Sequence, residues 1–373
     1  MTGIAGNQDP SSRAMAAEPV VTGAPPSGPG AANGRLAYVD HLRIAAALAV
    51  VMIHVSAMHW SDTAPASADW QAMNVYAAIS RWSVPVFFMI SGSLFLAHGR
   101  QNSPRRIWQH YIPRLLVMYV AWSAAYTVMS AVFQRIYDPV FLLQHLWDGY
   151  YHLWYLLALA GVYMLIPLLQ RIAAVPELAS YFVVLTGAAS LLLPTVVLIP
   201  VVGELSTDLV ERVAPFLVAG YPFYFVLGHL LHEHGATLPK WSRRTAYGAG
   251  AAGAGLTVAA TAWLSIGRGQ PSGEFYGYLT IGVALAAVAV FIFFRVRGGD
   301  VVTSPRLAMM ARWTLPIYLI HPAFVRVLQE FNITPGLLPG VIGIPVVWLL
   351  VLLLSTLASA VLVKIPLVNS WLV

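Results

Sequence analysis

Five ionisable side chains lie where an apolar helix should hold none: Arg43, His54, Arg81, Arg312 and His321 each fall inside a long hydrophobic run. An ionisable group at the centre of a membrane helix costs about 2.5–3.5 kcal/mol or more, so each needs a partner, a cavity or a task. Any one of them could be a hydrogen bond that pairs two helices, but together they point to a polar interior. Arginines facing such an interior suit an anion, because guanidinium matches phosphate with parallel hydrogen bonds. Histidines suit a different task, since a neutral imidazole can take a proton from a hydroxyl near neutral pH. The runs hold no interior carboxylate beyond Asp40, which lies one helical turn before Arg43 and is able to pair with it. A proton or cation relay would lack its usual carboxylates.

Spacing sorts these residues by depth. Arg43 and His54 are eleven residues apart, about 20° past three full turns of an ideal helix and about 16 Å along its axis. They share a face at different depths. The next span runs the opposite way and brings Arg81 to the depth of His54. His321 lies about 14 Å beyond Arg312 on a later span. Two layers are expected, with Arg43 and Arg312 near the side where the first span begins, and His54, Arg81 and His321 deeper. His152, which opens the fourth span, borders the deeper layer. Phosphate at one level and a base at the other describe coenzyme A reaching towards an acceptor.

The elements that must position these groups are membrane helices. The 373 residues are 58% hydrophobic and only 10% charged, far from the roughly 25% charged residues of a soluble domain. Apolar runs of about 20 residues match the length needed to cross hydrocarbon. They fall near 37–59, 74–97, 112–133, 152–170, 178–200, 211–231, 245–266, 275–295, 307–329 and 337–363. The expected fold is therefore all-α: a polytopic integral membrane bundle of about ten transmembrane helices. Lys and Arg gather in alternate loops, which places both termini in the cytoplasm and requires an even number of crossings. This spread also explains the net charge of +6 without nucleic acid. Residues 1–34, rich in Ala, Gly, Pro and Ser, are expected to be a disordered cytoplasmic tail, 35–366 the membrane domain and 367–373 a C-terminal tail. Pro85, Pro167, Pro222 and Pro316 lie within spans and should kink them.

Several patterns invite other readings. With no cysteine, disulfides, thiolate metal sites and cysteine nucleophiles are excluded. Gly248, Gly250 and Gly253 spell a dinucleotide-type glycine pattern, but no strand precedes them, and close helix packing explains them better. His232, Glu233 and His234 could ligate a metal, although neighbouring helical positions point apart, and a solvated loop is the expectation. Trp60, Trp70, Tyr150, Tyr151 and Trp241 sit near span ends and read as interfacial anchors.

The stretch Tyr38-Val39-Asp40-His41-Leu42-Arg43, then Met52-Ile53-His54, then Ser80-Arg81-Trp82-Ser83-Val84-Pro85 through Ser91-Gly92, resembles the start of the acyltransferase-3 family of membrane-bound O-acyltransferases. His152-Leu153-Trp154-Tyr155-Leu156, Tyr224-Phe225-Val226-Leu227-Gly228 and Ile317-Tyr318-Leu319-Ile320-His321-Pro322 extend the likeness over about residues 36–363. The resemblance implies a ten-helix fold, acetyl-CoA or another short acyl-CoA as donor with no metal, and transfer to a sugar hydroxyl of a surface glycan or lipid-linked precursor. It implies a multi-pass protein of a bacterial inner membrane. It also implies an essential histidine with an arginine eleven residues before it, here His54 and Arg43. On this reading His54 is the general base or carries the acyl group, and Arg81 and His321 orient it or stabilise the oxyanion. Arg43, Arg312, Arg105 and Arg106 hold the donor, and His152 and Trp154 meet the acceptor. The rival reading is a transporter or flippase for an anionic glycan intermediate, against which the halves show no clear inverted repeat.

Overall fold

The computed structural model describes residues 36–97, 102–192, Thr195 and 220–364. The tails expected at 1–34 and 367–373 lie outside the described residues, as do most of 193–200 and all of 211–219 within two expected spans. Helix α1 covers Ala37–Ser56, and α2 (Ala68–Ser80) and α3 (Ser83–Phe95) form one broken rod. Helix α4 runs Pro104–Gln134 with a π-helical turn at Ile107–Tyr111, and the short α5 (Pro139–Asp148) follows it. Helices α6 (Trp154–Met164) and α7 (Ile166–Ala173) meet at a bend of 59°. Then come α8 (Pro176–Leu192), α9 (Gly220–His234), α10 (Lys240–Arg268), α11 (Ile281–Gly298), α12 (Pro305–Arg312), α13 (Thr314–Glu330) and α14 (Gly340–Leu362). Among the described residues the extended pairing is limited to an isolated bridge between Leu36 and Val302.

Six of these helices are long and apolar enough to cross a membrane, or seven if the bent α6–α7 pair counts as one. The chain is thus an all-helical membrane protein. The ten crossings read from hydropathy are not reached on length alone, because α8, α9 and α13 each fall short of 18 residues among those described. Exposed Leu349, Leu353, Leu357 and Val361 line one side of α14. Such a face would be a liability in water and is ordinary against hydrocarbon.

Prolines explain where the rods break. Pro85 has no N–H to offer the Arg81 carbonyl one turn earlier, and the helix is interrupted at Arg81 and Trp82. Pro167 does the same to Tyr163, with the break at Leu165, and Pro316 to Arg312, with the break at Trp313. Pro222 stands near the start of α9, and the carbonyl it would free, at position 218, lies outside the described residues. Helix starts are capped in the ordinary way, as where the Ser67 hydroxyl accepts from Trp70 N at 3.2 Å and Asp138 accepts from Phe141 N at 3.0 Å.

Long-range hydrogen bonds define two ends of the bundle. At the end where α1 begins, Ala37 N donates to Val301 O at 2.8 Å, and Gln170 Nε2 donates to Phe95 O at 2.9 Å. There Arg295 Nε also donates to His232 O at 2.8 Å. Tyr38 hydroxyl bonds His232 Nδ1 at this same end. His232–His234 therefore finish α9, and His232 packs on Tyr38 of α1 where the sequence suggested a solvated loop, while His234 is exposed. At the opposite end, Gly340 N donates to Asp69 Oδ1 at 2.7 Å.

Close crossings hold the walls. A Cβ on Gly92 of α3 would strike the Phe225 backbone of α9, and one on Gly228 would strike the Met89 backbone, so each helix needs a glycine at the other's surface. Gly250 and Gly253 do the same for α10 against Ala289 and Gly282 of α11, while a side chain on Gly248 would meet nothing among the described residues. Packing accounts for two of the three glycines in the dinucleotide-like pattern.

Candidate functional site

A cavity of about 840 Å³ opens inside the bundle, a size ordinary for small-molecule and cofactor sites. Towards the end where α1 begins it is lined by Arg43 of α1, Arg114 of α4, Arg312 of α12 and Lys364, just past α14. Deeper along α1 it is lined by His54, with His152, Trp154 of α6 and Tyr278 also in its wall. Phe87 and Ile90 of α3 form one apolar side beside the hydroxyl-bearing Ser91, and Leu115, Met118, Leu156 and Leu159 contribute another.

The cationic end has a built-in orienting group. Asp40 is 0% exposed, accepts a hydrogen bond from Thr303 Oγ1 at 2.9 Å, and lies 3.8 Å from Arg43 Nη1. The carboxylate fixes one side of the guanidinium. Four cations from four separated segments then meet one cavity, a surplus of positive charge suited to a polyanion.

The other end is built from rings. His54 packs on His321 with ring centres 5.2 Å apart and on Tyr151 at 4.8 Å, and His321 lies 5.8 Å from His152. The orientation of His321 comes from a defect in its own helix. Pro322 cannot donate to the Tyr318 carbonyl, and that carbonyl lies 2.8 Å from His321 Nδ1, with the Ile317 carbonyl at 3.1 Å. A neutral imidazole nitrogen facing two carbonyls must carry the proton, so Nε2 holds the lone pair. Nε2 is buried and has no hydrogen-bond partner among the described residues. His152 is held by the same logic: its Nε2 faces Leu319 O at 3.3 Å and its Nδ1 is buried without a partner among the described residues. Tyr318 hydroxyl donates to the His152 backbone carbonyl, and Tyr126 hydroxyl donates to Leu319 O at 2.7 Å.

Arg81, freed at the break between α2 and α3, turns to aromatic partners. Its guanidinium lies 4.5 Å from the centre of the Tyr276 ring and 5.6 Å from that of Tyr278, and Nη1 donates to the Tyr278 hydroxyl at 3.3 Å. Tyr278 in turn stacks on Trp154 at 5.6 Å. Arg81 therefore meets the cavity through Tyr278, whose hydroxyl proton is left for another acceptor.

Of the residues singled out in sequence, the structure sets His54 and His152 each against the His321 ring and places Arg43, Arg312 and Trp154 in the same cavity wall. Arg105 and Arg106 do not line it: Arg105 Nε donates to Gln109 Oε1 at 3.1 Å, and Arg106 lies 5.9 Å from the Tyr111 ring centre. Arg114, Lys364 and Tyr278 also line it and were not among the site residues expected from sequence. An arginine just inside a hydropathy span was the available signal for Arg114. Tyr151, read as an interfacial anchor, instead has its ring against His54. Among the described residues no group of three or more His, Cys, Asp or Glu is placed to hold a metal.

Residues 36–364 match the family model described as an acyltransferase domain. No curated protein and no solved structure matches the chain.

Proposed function

This chain belongs to the acyltransferase-3 family, and from that premise we propose that it moves an acetyl or similar short acyl group from coenzyme A to a hydroxyl of a carbohydrate acceptor. The observation that carries this reading is a single cavity with four cations towards one end and His54 in its deeper wall. The cations suit the donor's phosphates, and the apolar walls suit its pantetheine arm, which would bring the thioester to His54. Arg43 and Lys364 lie at the end that we assign to the cytoplasm, because the loops there carry most of the Lys and Arg. Ten crossings of a bacterial inner membrane, with both termini inside, complete the reading. Helices α8, α9 and the broken α12–α13 supply apolar segments beyond the seven.

His54 takes the proton of the acceptor hydroxyl as its oxygen attacks the thioester carbon. The carbon–sulfur bond then breaks, the thiolate leaves, and the imidazolium returns the proton to it. The lone pair on His321 Nε2 suits it to accept an N–H from His54 and so hold the base in the required tautomer. With Nδ1–H committed to carbonyls, a neutral His321 has no proton for an oxyanion, and Tyr278, backed by Arg81, is the better donor. Purified protein incubated with labelled acetyl-CoA and candidate glycans should transfer label. Movement of glycan without acyl-CoA dependence would instead support the transporter reading.

A further inference from the structure

Tyr151 stands between α5 and α6 on a turn that the sequence forces. Gly149 adopts φ +71°, a left-handed conformation, and a side chain there would meet the Tyr119 hydroxyl. Tyr119 hydroxyl also donates to Trp147 O at 2.8 Å, which fixes the end of α5. Two rings follow this turn, and they have different fates. Tyr150 stacks on Tyr126 at 4.3 Å and 7°, which uses one of its faces inside the protein. Tyr151 is 48% exposed although the rings of His54, Tyr150 and His152 surround it. It is not part of the wall of the cationic cavity, whereas His54 is. His54 is thus shared between the cavity on one side and the Tyr151 ring on the other.

We propose that the exposed face of Tyr151 is the sugar subsite for the acceptor, packing the C–H face of a pyranose beside His54. This rests on the reading of the chain as a glycan acyltransferase and adds where the acceptor lies. The apolar face of a pyranose presents C–H groups that complement the negative face of an aromatic ring, while its hydroxyls project at the rim. The Tyr151 and His54 ring centres are only 4.8 Å apart, with planes inclined by 48°, so a sugar on Tyr151 is a neighbour of the imidazole. His152, the acceptor contact expected from sequence, is 2% exposed and acts behind this surface. Donor and acceptor would then approach His54 from different sides.

The test uses acetyl transfer from labelled acetyl-CoA to a panel of methyl glycosides, followed by kinetics on the best acceptor of the panel. Tyr151→Ala should raise the acceptor KM about tenfold with the acetyl-CoA KM unchanged, and Tyr151→Phe should stay within about twofold of the parent. If the Ala variant does not fold, Tyr151→Leu, which keeps apolar bulk but no ring face, carries the same expectation. An unchanged acceptor KM in a folded Ala or Leu variant would make Tyr151 an interfacial anchor only and overturn the proposal. So would an equal rise in both KM values, which would assign the ring to packing around His54. Failure of the unaltered protein to acylate any glycoside would instead refute the glycan-acyltransferase reading itself.

Discussion

The two ends of the cavity are assembled on different principles. At one, four separate segments each lend a cation whose charge matters more than its angle; at the other, orientation is everything, and it comes from backbone carbonyls. Coulombic attraction falls off slowly and tolerates movement, whereas proton transfer needs hydrogen-bond reach. The cationic end should therefore fail gradually and the imidazole end abruptly.

Replacing His54 offers the sharpest break of that contrast. His54→Gln should lower turnover by about 10²–10⁴-fold, while expression, membrane insertion and acetyl-CoA affinity stay near the parent's. Retained turnover in the folded variant would remove the base from the mechanism. A smaller and more specific effect is expected one residue from His321. Pro322→Ala returns an N–H to the Tyr318 carbonyl, which then competes with His321 Nδ1. Turnover should fall about thirtyfold at unchanged donor KM, since orientation alone is disturbed. Thermal stability should hold or rise because a helical hydrogen bond is gained; a fall in stability with normal turnover would contradict the orienting role. Smallest are the single cation changes. Arg114→Ala or Lys364→Ala should raise the acetyl-CoA KM about fivefold each, less at high salt, whereas Arg105→Ala with Arg106→Ala should leave it within about twofold. A dominant effect from the Arg105 and Arg106 pair would undo the assignment of the cavity's cations.

The legibility of these two ends in sequence also differed. His54 and His321 could be set at one depth because helical rise is fixed, and the contact between their rings agrees with that arithmetic. The breaks near Pro85, Pro167 and Pro316 were readable for the same reason: a missing N–H acts locally. Arg114 escaped because one arginine barely alters the average over an apolar window, and Lys364 because a charge at a span end also serves topology. Tyr151 could not be distinguished from an anchor, since its contact with His54 joins residues 97 positions apart. The span count suffered from partial helices, as α13 holds 17 residues after the break at Trp313.

The paired glycines of α3 and α9 have a consequence for how such a protein can diversify. Where Gly92 and Gly228 each rest on the opposing backbone, no side chain can be trimmed or enlarged to reset the gap. That crossing is a fixed jaw. For the proposed transfer, a lineage adapting to a longer or shorter acyl chain would have to work on side chains of the cavity wall instead, at Leu115, Met118, Leu156 and Leu159, where a methylene can be exchanged without displacing a helix.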